Sequence, residues 1–294
     1  MKNKFMINKA QIGIKLSDCK TIECLRNTLN RIEKAGFDFT EFHVDMFPSI
    51  IGGNVCYQWV ELVKAELLLH KLKYSAHIGR ALDLRSDDID LHYSLFKASI
   101  DVASILGANP LVVHFESKSN VAEKENQFKK YLEKGVLYAE KKNVLICLEN
   151  IEIERVFPVL DVVKELNLEN LKMTFDTGHA YLASKYYNFN YLEALEACLP
   201  YIGHVHLNDN LGIFENSRIT NRLYYDSLEE GMRRELAMGD IHLPPFFGQV
   251  PFDDIFRLLK NYRGKYLCEY YTNSYIPFEN QIYNRVKKAI ESNW

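Results

Sequence analysis

The sequence lacks the features that define several large classes of protein. No stretch of 18 or more residues is free of charged side chains, as a transmembrane helix would require. Six cysteines occur without CxxC spacing, and they are too sparse for a disulfide scaffold. The formal net charge is −3, so no overall basic field attracts nucleic acid or an anionic membrane. We therefore expect a cytoplasmic protein with reduced thiols and no membrane or nucleic-acid partner.

Signals of a second domain are also missing. The chain contains no low-complexity segment, no internal repeat and no linker rich in Pro and Gly. With 294 residues and 47% hydrophobic content, it is long enough to bury one large core. We expect a single domain over residues 1–294.

Short apolar runs rich in Val, Ile and Phe alternate with longer segments of helical period, as in repeated β-α units with a parallel sheet. The helical segments include 21–36, which Gly36 terminates, and 86–109, which opens on a capping Ser or Asp. Eight such units favour an α/β fold, a single (β/α)8 TIM barrel. An open doubly wound sheet stays an alternative, because closure is not visible in a sequence. The strand candidates are 11–16, 39–45, 74–78, 110–115, 144–149, 171–176, 202–207 and 265–270.

One segment, 209–250, departs from this alternation. It follows the seventh strand candidate, is too long for an ordinary βα loop, and contains the charged run SLEEGMRRELAMGD. We expect an inserted helix or a lid over the pocket.

Residues that bind metals accumulate at the predicted C-terminal ends of the strands, where a TIM barrel carries its active site. The motif DTGH at 176–179 and the motif DIH at 240–242 add further donors. The candidates are His77, His114, Glu149, Asp176, His179, His206, Asp240, His242 and Glu269.

Taken singly, each of these side chains is as well explained by an ordinary buried hydrogen bond. Taken together, carboxylates that converge on one barrel mouth repel each other unless cations neutralise them. Mixed imidazole and carboxylate donors suit Zn²⁺, Mn²⁺, Co²⁺ or Fe²⁺, and Mg²⁺ is also open. His204 shares the inward face with His206 and is expected one layer deeper, as a core or supporting residue.

The motifs FDTGHAYLAS, IGHVHLND, GDIHLPPFFGQVPF and CEYY resemble the xylose isomerase-like superfamily of sugar and sugar-phosphate isomerases and epimerases, which also contains endonuclease IV. For the epimerase branch, the resemblance implies one divalent ion held by Glu149, Asp176, His206 and Glu269. It also implies that Glu149 and Glu269 act as acid and base, moving a proton beside a carbonyl through an enediolate.

For the endonuclease IV branch, the resemblance implies three zinc ions held by all nine candidates, and phosphodiester hydrolysis. Arg80 stands where such endonucleases carry a tyrosine, and Gly178 stands where they usually carry a cysteine. The net charge is also acidic. A sugar or sugar-phosphate isomerase or epimerase is therefore favoured, with another metal-dependent lyase or hydrolase, or a non-catalytic sugar sensor, as alternatives.

The substrate-binding residues are less well defined. Arg80 and His43 are candidates near the mouth, and Lys15 or Arg80 would suit an anionic group. Phe246 and Phe247 would either stack on a sugar or pack the lid onto the barrel. The sequence leaves open whether the sugar carries a phosphate and whether the chain forms a homo-oligomer.

Overall fold

The eight apolar runs of the sequence become eight parallel strands in a computed structural model, which describes residues 10–79 and 81–293. The first strand pairs with both the second and the last, so the sheet closes into a barrel. Closure confirms the predicted (β/α)8 fold and excludes the open sheet. The strands are β1 (Gln11–Lys15), β2 (Phe39–His43), β3 (Lys73–Ile78), β4 (Ala108–His114), β5 (Ile146–Glu149), β6 (Leu171–Asp176), β7 (Ile202–Leu207) and β8 (Lys265–Cys268).

Helices surround the barrel and begin and end at local signals. The Thr21 hydroxyl accepts a hydrogen bond from the Cys24 backbone N–H at the start of the first helix, and Gly36, with φ of 94°, ends it. The helices are α1 (Ile22–Ala35), α2 (Tyr57–Leu67), α3 (Ile89–Leu106), α4 (Ala122–Lys141), α5 (Val156–Leu166), α6 (Thr177–Tyr187), α7 (Tyr191–Cys198), α8 (Ser217–Thr220), α9 (Arg222–Ser227), α10 (Glu230–Glu235), α11 (Phe252–Leu258) and α12 (Glu279–Glu291). In the part of the chain that the structure describes, no helix is both long and apolar enough to cross a membrane.

The interior of the barrel is polar as well as apolar. Because side chains alternate along a strand, Phe39, Glu41 and His43 of β2 share one face. Phe39 lies 5.9 Å from the ring of His204 on β7, measured between ring centroids, so this face points into the barrel. The outer faces of the strands and the inner faces of the helices form the continuous apolar core.

Segment 209–250 folds into three short helices, α8 to α10, above the C-terminal end of the barrel. Backbone hydrogen bonds of 2.8 Å in both directions between Asp209 and Leu243 close its base. The Gly239 N–H donates to Ile213 O at 3.1 Å, so the two ends of the segment are in contact again beyond this base. The expected inserted helix is present as these three pieces, and its role as a lid stays a prediction.

Candidate functional site

Four potential metal donors meet inside the barrel mouth. Glu149 ends β5, Asp176 ends β6, His206 lies near the end of β7, and Glu269 directly follows β8. One donor atom from each lies within 4.8 Å of the others, and all four side chains are buried. We call these residues the four-donor group. The strand ends of a closed barrel converge, which explains how positions so far apart in sequence come together.

The ring of His206 is at the centre of this group. Its Nδ1 lies 2.8 Å from Glu269 Oε2 and 3.0 Å from Glu149 Oε1. Asp176 Oδ2 is further away, at 3.9 Å, and accepts a hydrogen bond from Asn208. The other oxygen of Asp176 accepts from the His179 N–H and so caps helix α6. Asp176 is therefore fixed in place from two sides.

Two further groups of donors flank the four-donor group. His77 Nε2 and His114 Nε2 lie 3.0 and 3.4 Å from Glu149 Oε2. On the other side, Asp240 Oδ2 lies 2.8 Å from His242 Nε2 and 3.3 Å from His179 Nε2. The nine sequence candidates are thus brought together as three adjacent groups, and Glu149 belongs to two of them.

The charges of the four-donor group are strongly coupled. Burial alone would raise the pKa of Glu149, but the charges and hydrogen bonds of His206 and His77 hold it well below its usual range. Burial alone would lower the pKa of His206, but Glu149 and Glu269 raise it well above its usual range. Burial, reinforced by Glu149 and Glu269, raises the pKa of Asp176 to about 7. The ionised form of these buried carboxylates therefore depends on positive charge close to them.

The donor atoms fit a divalent cation. Several buried atoms have no hydrogen-bond partner among the described residues, including Glu149 Oε2, Glu269 Oε2 and Asp240 Oδ1. Buried polar atoms are normally hydrogen-bonded, and in the described part of the chain Glu149 Oε2 and Glu269 Oε2 have histidine nitrogens within 3.0 Å but no well-aligned hydrogen bond, an arrangement that suits binding of a shared cation. Carboxylate and imidazole donors in this mixture suit Zn²⁺, Mn²⁺, Co²⁺ or Fe²⁺.

Comparison with known families agrees with this geometry. Residues 29–292 match the sequence model of the family described as the xylose isomerase-like TIM barrel. The chain belongs to this family. No curated protein matches the sequence at a significant level.

Solved structures show the same fold as this xylose isomerase-like barrel. A D-tagatose 3-epimerase-like protein shares 20% identity with a TM-score of 0.70, covering 96% of this chain and 98% of its own. D-allulose 3-epimerase from Methylomonas sp. shares 17% with a TM-score of 0.70, covering 97% and 99%. The 3-keto-D-glucoside 4-epimerase YcjR from E. coli shares 16% with a TM-score of 0.66, covering 94% and 100%. At these identities the likeness establishes the fold.

The substrate candidates fall into different places in this xylose isomerase-like barrel. The His43 ring lies 4.7 Å from the His77 ring, and His43 forms a group of possible donors with His77 and Glu269. Arg80 lies outside the described residues. Lys15 donates a hydrogen bond to Glu269 at 3.3 Å, so it lies at the mouth. Phe246 packs 5.0 Å from Phe252, which matches the packing alternative for this residue.

Sequence reasoning missed two polar contacts next to the site. Glu41 on β2 lies with His204 and His206 in a buried group. Arg218 of α8 donates to Glu152 at 2.6 Å, and both side chains are buried. The alternation of β2 places Glu41 on the same face as the candidate His43, which is a signal that could have found it. Arg218 belongs to the inserted segment, whose position no strand pattern predicts.

Proposed function

We propose that this protein is a divalent-metal-dependent isomerase or epimerase that acts on a sugar or sugar phosphate. The observation that carries the proposal is the pair of buried glutamates, Glu149 and Glu269, whose oxygens lie 3.0 and 2.8 Å from the same ring nitrogen of His206. Glu149, Asp176, His206 and Glu269 would hold the ion, which when bound supplies a Lewis acid that polarises a substrate carbonyl and stabilises negative charge on its oxygen.

The two glutamates would supply the proton transfers. One carboxylate takes the proton from the carbon beside the carbonyl, which gives an enediolate. The other, which must first take a proton from solvent, delivers it to the opposite face of the same carbon in an epimerisation or to the neighbouring carbon in an isomerisation, and the first glutamate then returns the abstracted proton to solvent. Burial raises the pKa of both glutamates, but the charge of His206 outweighs it and lowers both, which favours the carboxylate form that a base requires.

The solved structures support a sugar substrate. Their titles name a D-tagatose 3-epimerase-like protein, a D-allulose 3-epimerase and a 3-keto-D-glucoside 4-epimerase. An epimerase inverts one carbon of a sugar, which proton transfer beside a carbonyl can achieve. Lys15 is the described cation at the mouth that contacts Glu269, and it would restrain this carboxylate.

One observation favours a second candidate, an endonuclease IV-like phosphodiesterase with several zinc ions. All nine donors that this activity would use lie in three adjacent groups. The net charge of −3 and Gly178 in the DTGH motif count against it, because a duplex binder needs Lys and Arg that face phosphates. We therefore rank it second.

The proton-transfer mechanism is tested by incubating ketoses and ketose phosphates with the enzyme in D₂O and measuring by NMR the deuterium that they incorporate. The metal-reconstituted enzyme should incorporate deuterium at the carbon beside the carbonyl. Glu149→Gln and Glu269→Gln should each lower turnover by about 10²–10⁴-fold, because each loses a general acid or base. Both variants should keep part of their metal.

Glu66→Gln is the matched control. Glu66 is also a buried glutamate, but it pairs with Arg26 on the outside of the barrel. Its variant should turn over substrate as the wild type does. Full activity in both Glu149→Gln and Glu269→Gln would show that another pair of groups moves the proton.

A further inference from the structure

Another buried carboxylate, Glu41, lies next to the Nε2 side of the candidate ligand His206, away from the four-donor group. Glu41 lies on the inward face of β2 and is 2% exposed. It does not belong to the four-donor group or to the two flanking groups that contain the predicted ligands. A charged group at this depth is costly unless its partners compensate for the lost water.

The two oxygens of Glu41 have different partners. Oε2 accepts a hydrogen bond of 2.8 Å from the Ser75 hydroxyl and lies 3.0 Å from His204 Nε2. Oε1 lies 3.2 Å from His206 Nε2. Ser75 and His204 therefore hold one oxygen, and the other oxygen is left facing His206.

The two nitrogens of the His206 ring face opposite sides. Nδ1 points to Glu149 and Glu269 in the four-donor group, and Nε2 points to Glu41. A neutral imidazole has one N–H and one lone pair, so a ring that binds a metal through Nδ1 must carry its proton on Nε2. Among the described residues Nε2 has no well-aligned hydrogen bond, and Glu41 Oε1 is the acceptor within reach.

We propose that Glu41 is a positioning residue for the metal centre, which accepts the Nε2–H of His206 and thereby fixes the ring with Nδ1 free to bind the ion. A carboxylate behind a ligating histidine orients the ring and makes the ligand nitrogen more basic. This inference rests on the metal centre of the proposed function. It adds a buried tetrad, Ser75–Glu41–His204–His206, that links β2 and β3 to a ligand on the opposite side of the barrel.

The test is a double-mutant cycle on the affinity for Zn²⁺, measured by calorimetric titration of the full-length, chelator-treated protein. Glu41→Gln keeps the size of the side chain, but its single amide oxygen cannot accept from both histidines. We expect it to lower the affinity of the site containing His206 by about 10–100-fold. Adding Glu41→Gln to His206→Asn should cause no further loss, because Glu41 then has no ligand to position.

Thr40→Val is the matched control for folding. Thr40 is the neighbouring buried residue of β2, and its hydroxyl donates to Ile14 O at 2.7 Å on the other face of the strand. This variant removes a buried hydrogen bond without touching His206, so its Zn²⁺ affinity should stay within about threefold of the wild type.

Three outcomes would overturn the inference. Zn²⁺ affinity in Glu41→Gln within threefold of the wild type would show that Glu41 does not support His206. A further loss in the double variant would show that Glu41 acts independently, for example as a ligand itself. A loss in Thr40→Val equal to that in Glu41→Gln would attribute the effect to folding. If the wild type binds no divalent ion at all, the proposed function fails together with this inference. The three outcomes above overturn this inference but leave the proposed function intact.

Discussion

At the scale of single residues, the barrel interior contains titratable groups at two depths. His206 and its carboxylates lie at the mouth, and Lys265 lies at the opposite end, at the start of β8. The Lys265 ammonium donates hydrogen bonds to Asn109 O at 2.5 Å and Tyr74 O at 3.1 Å, and it lies 4.7 Å from the centre of the Phe39 ring. Ionisable side chains are thus buried at both ends of the barrel. At the end that contains Lys265, backbone carbonyls and an aromatic ring replace the lost water.

We expect Lys265 to make stability rise with pH. Burial lowers the pKa of Lys265 to about 7. The charge of Glu41 opposes this by raising the pKa, and the charge of Lys73 lowers it by a smaller amount. In the unfolded chain a lysine keeps its proton up to about pH 10. Above pH 7 the unfolded state therefore binds one more proton than the folded state, so the free energy of unfolding increases with pH, by on the order of 1 kcal/mol per pH unit.

This prediction is checked by urea unfolding of the wild type and Lys265→Met between about pH 7 and pH 8.5 under reducing conditions; the six cysteines and the α-amino group also titrate here in the unfolded chain, but equally in both proteins. Lys265→Met should have a smaller increase in unfolding free energy over this range than the wild type. The difference between the two slopes isolates Lys265 from groups common to both proteins. Equal slopes would mean that Lys265 keeps its proton in the folded state.

At the scale of secondary structure elements, the alternation of apolar runs predicted every barrel strand, because each strand must bury both faces between the lumen and the helices. The predicted ends of the strands were less accurate than the predicted strands themselves. The eighth strand ends at Cys268 and not at 270, so Glu269 follows the strand, and the fourth strand begins at Ala108 and not at 110. Hydrogen bonding to neighbouring strands sets these ends, and a single sequence does not display its pairing partners.

Ligand chemistry and strand position together predicted which side chains would converge, and the nine candidates do lie together. Glu41 was missed although it shares the inward face of β2 with His43, because alternation alone does not show that its partners His204 and His206 come from across the barrel. Pattern reasoning thus predicted the donors at strand ends and the deeper His204, and missed the acidic partner of His204.

The inserted segment should control substrate affinity. Since Gly239 N–H already meets Ile213 O, residues 214–238 can be replaced by a short glycine linker without separating the flanking chain. Glu152→Gln belongs in the same variant, because removing Arg218 would otherwise leave a buried carboxylate without its cation. We expect KM to rise by about tenfold or more, while thermal unfolding stays a single cooperative transition and the helical circular dichroism signal falls only by the contribution of α8 to α10.

The single variant Glu152→Gln is the control for this deletion. An unchanged KM in the shortened protein would mean that the segment contacts another molecule or is idle. A rise in KM in Glu152→Gln alone would assign the effect to the Arg218–Glu152 pair and not to a lid.

At the scale of the whole molecule, bound metal should stabilise the fold. At about 100 times its Kd, an ion that binds only the folded state adds about 2.7 kcal/mol. We therefore expect chelation to lower Tm by about 5 °C or more, as measured by differential scanning calorimetry. His206→Asn should lose most of this response, and a wild-type Tm that chelator does not change would argue against a metal in the four-donor group.

The number of ions per chain separates the two candidate functions. Inductively coupled plasma mass spectrometry on protein purified without chelator should find about one ion per chain if the four-donor group alone is filled. Two or three zinc or iron ions would mean that His77, His114, His179, Asp240 and His242 also bind metal, and would move phosphoester hydrolysis to first place.

The order of the donors along the chain has a consequence for biosynthesis. Glu149, Asp176 and His206 are made before β8, whereas Glu269 directly follows β8, the strand that closes the barrel by pairing with β1. A chain interrupted before this point therefore lacks barrel closure and the fourth donor at the same time. If the four-donor group binds the ion as proposed, capture by the full set of ligands is a late event that only chains extending through Glu269 can reach.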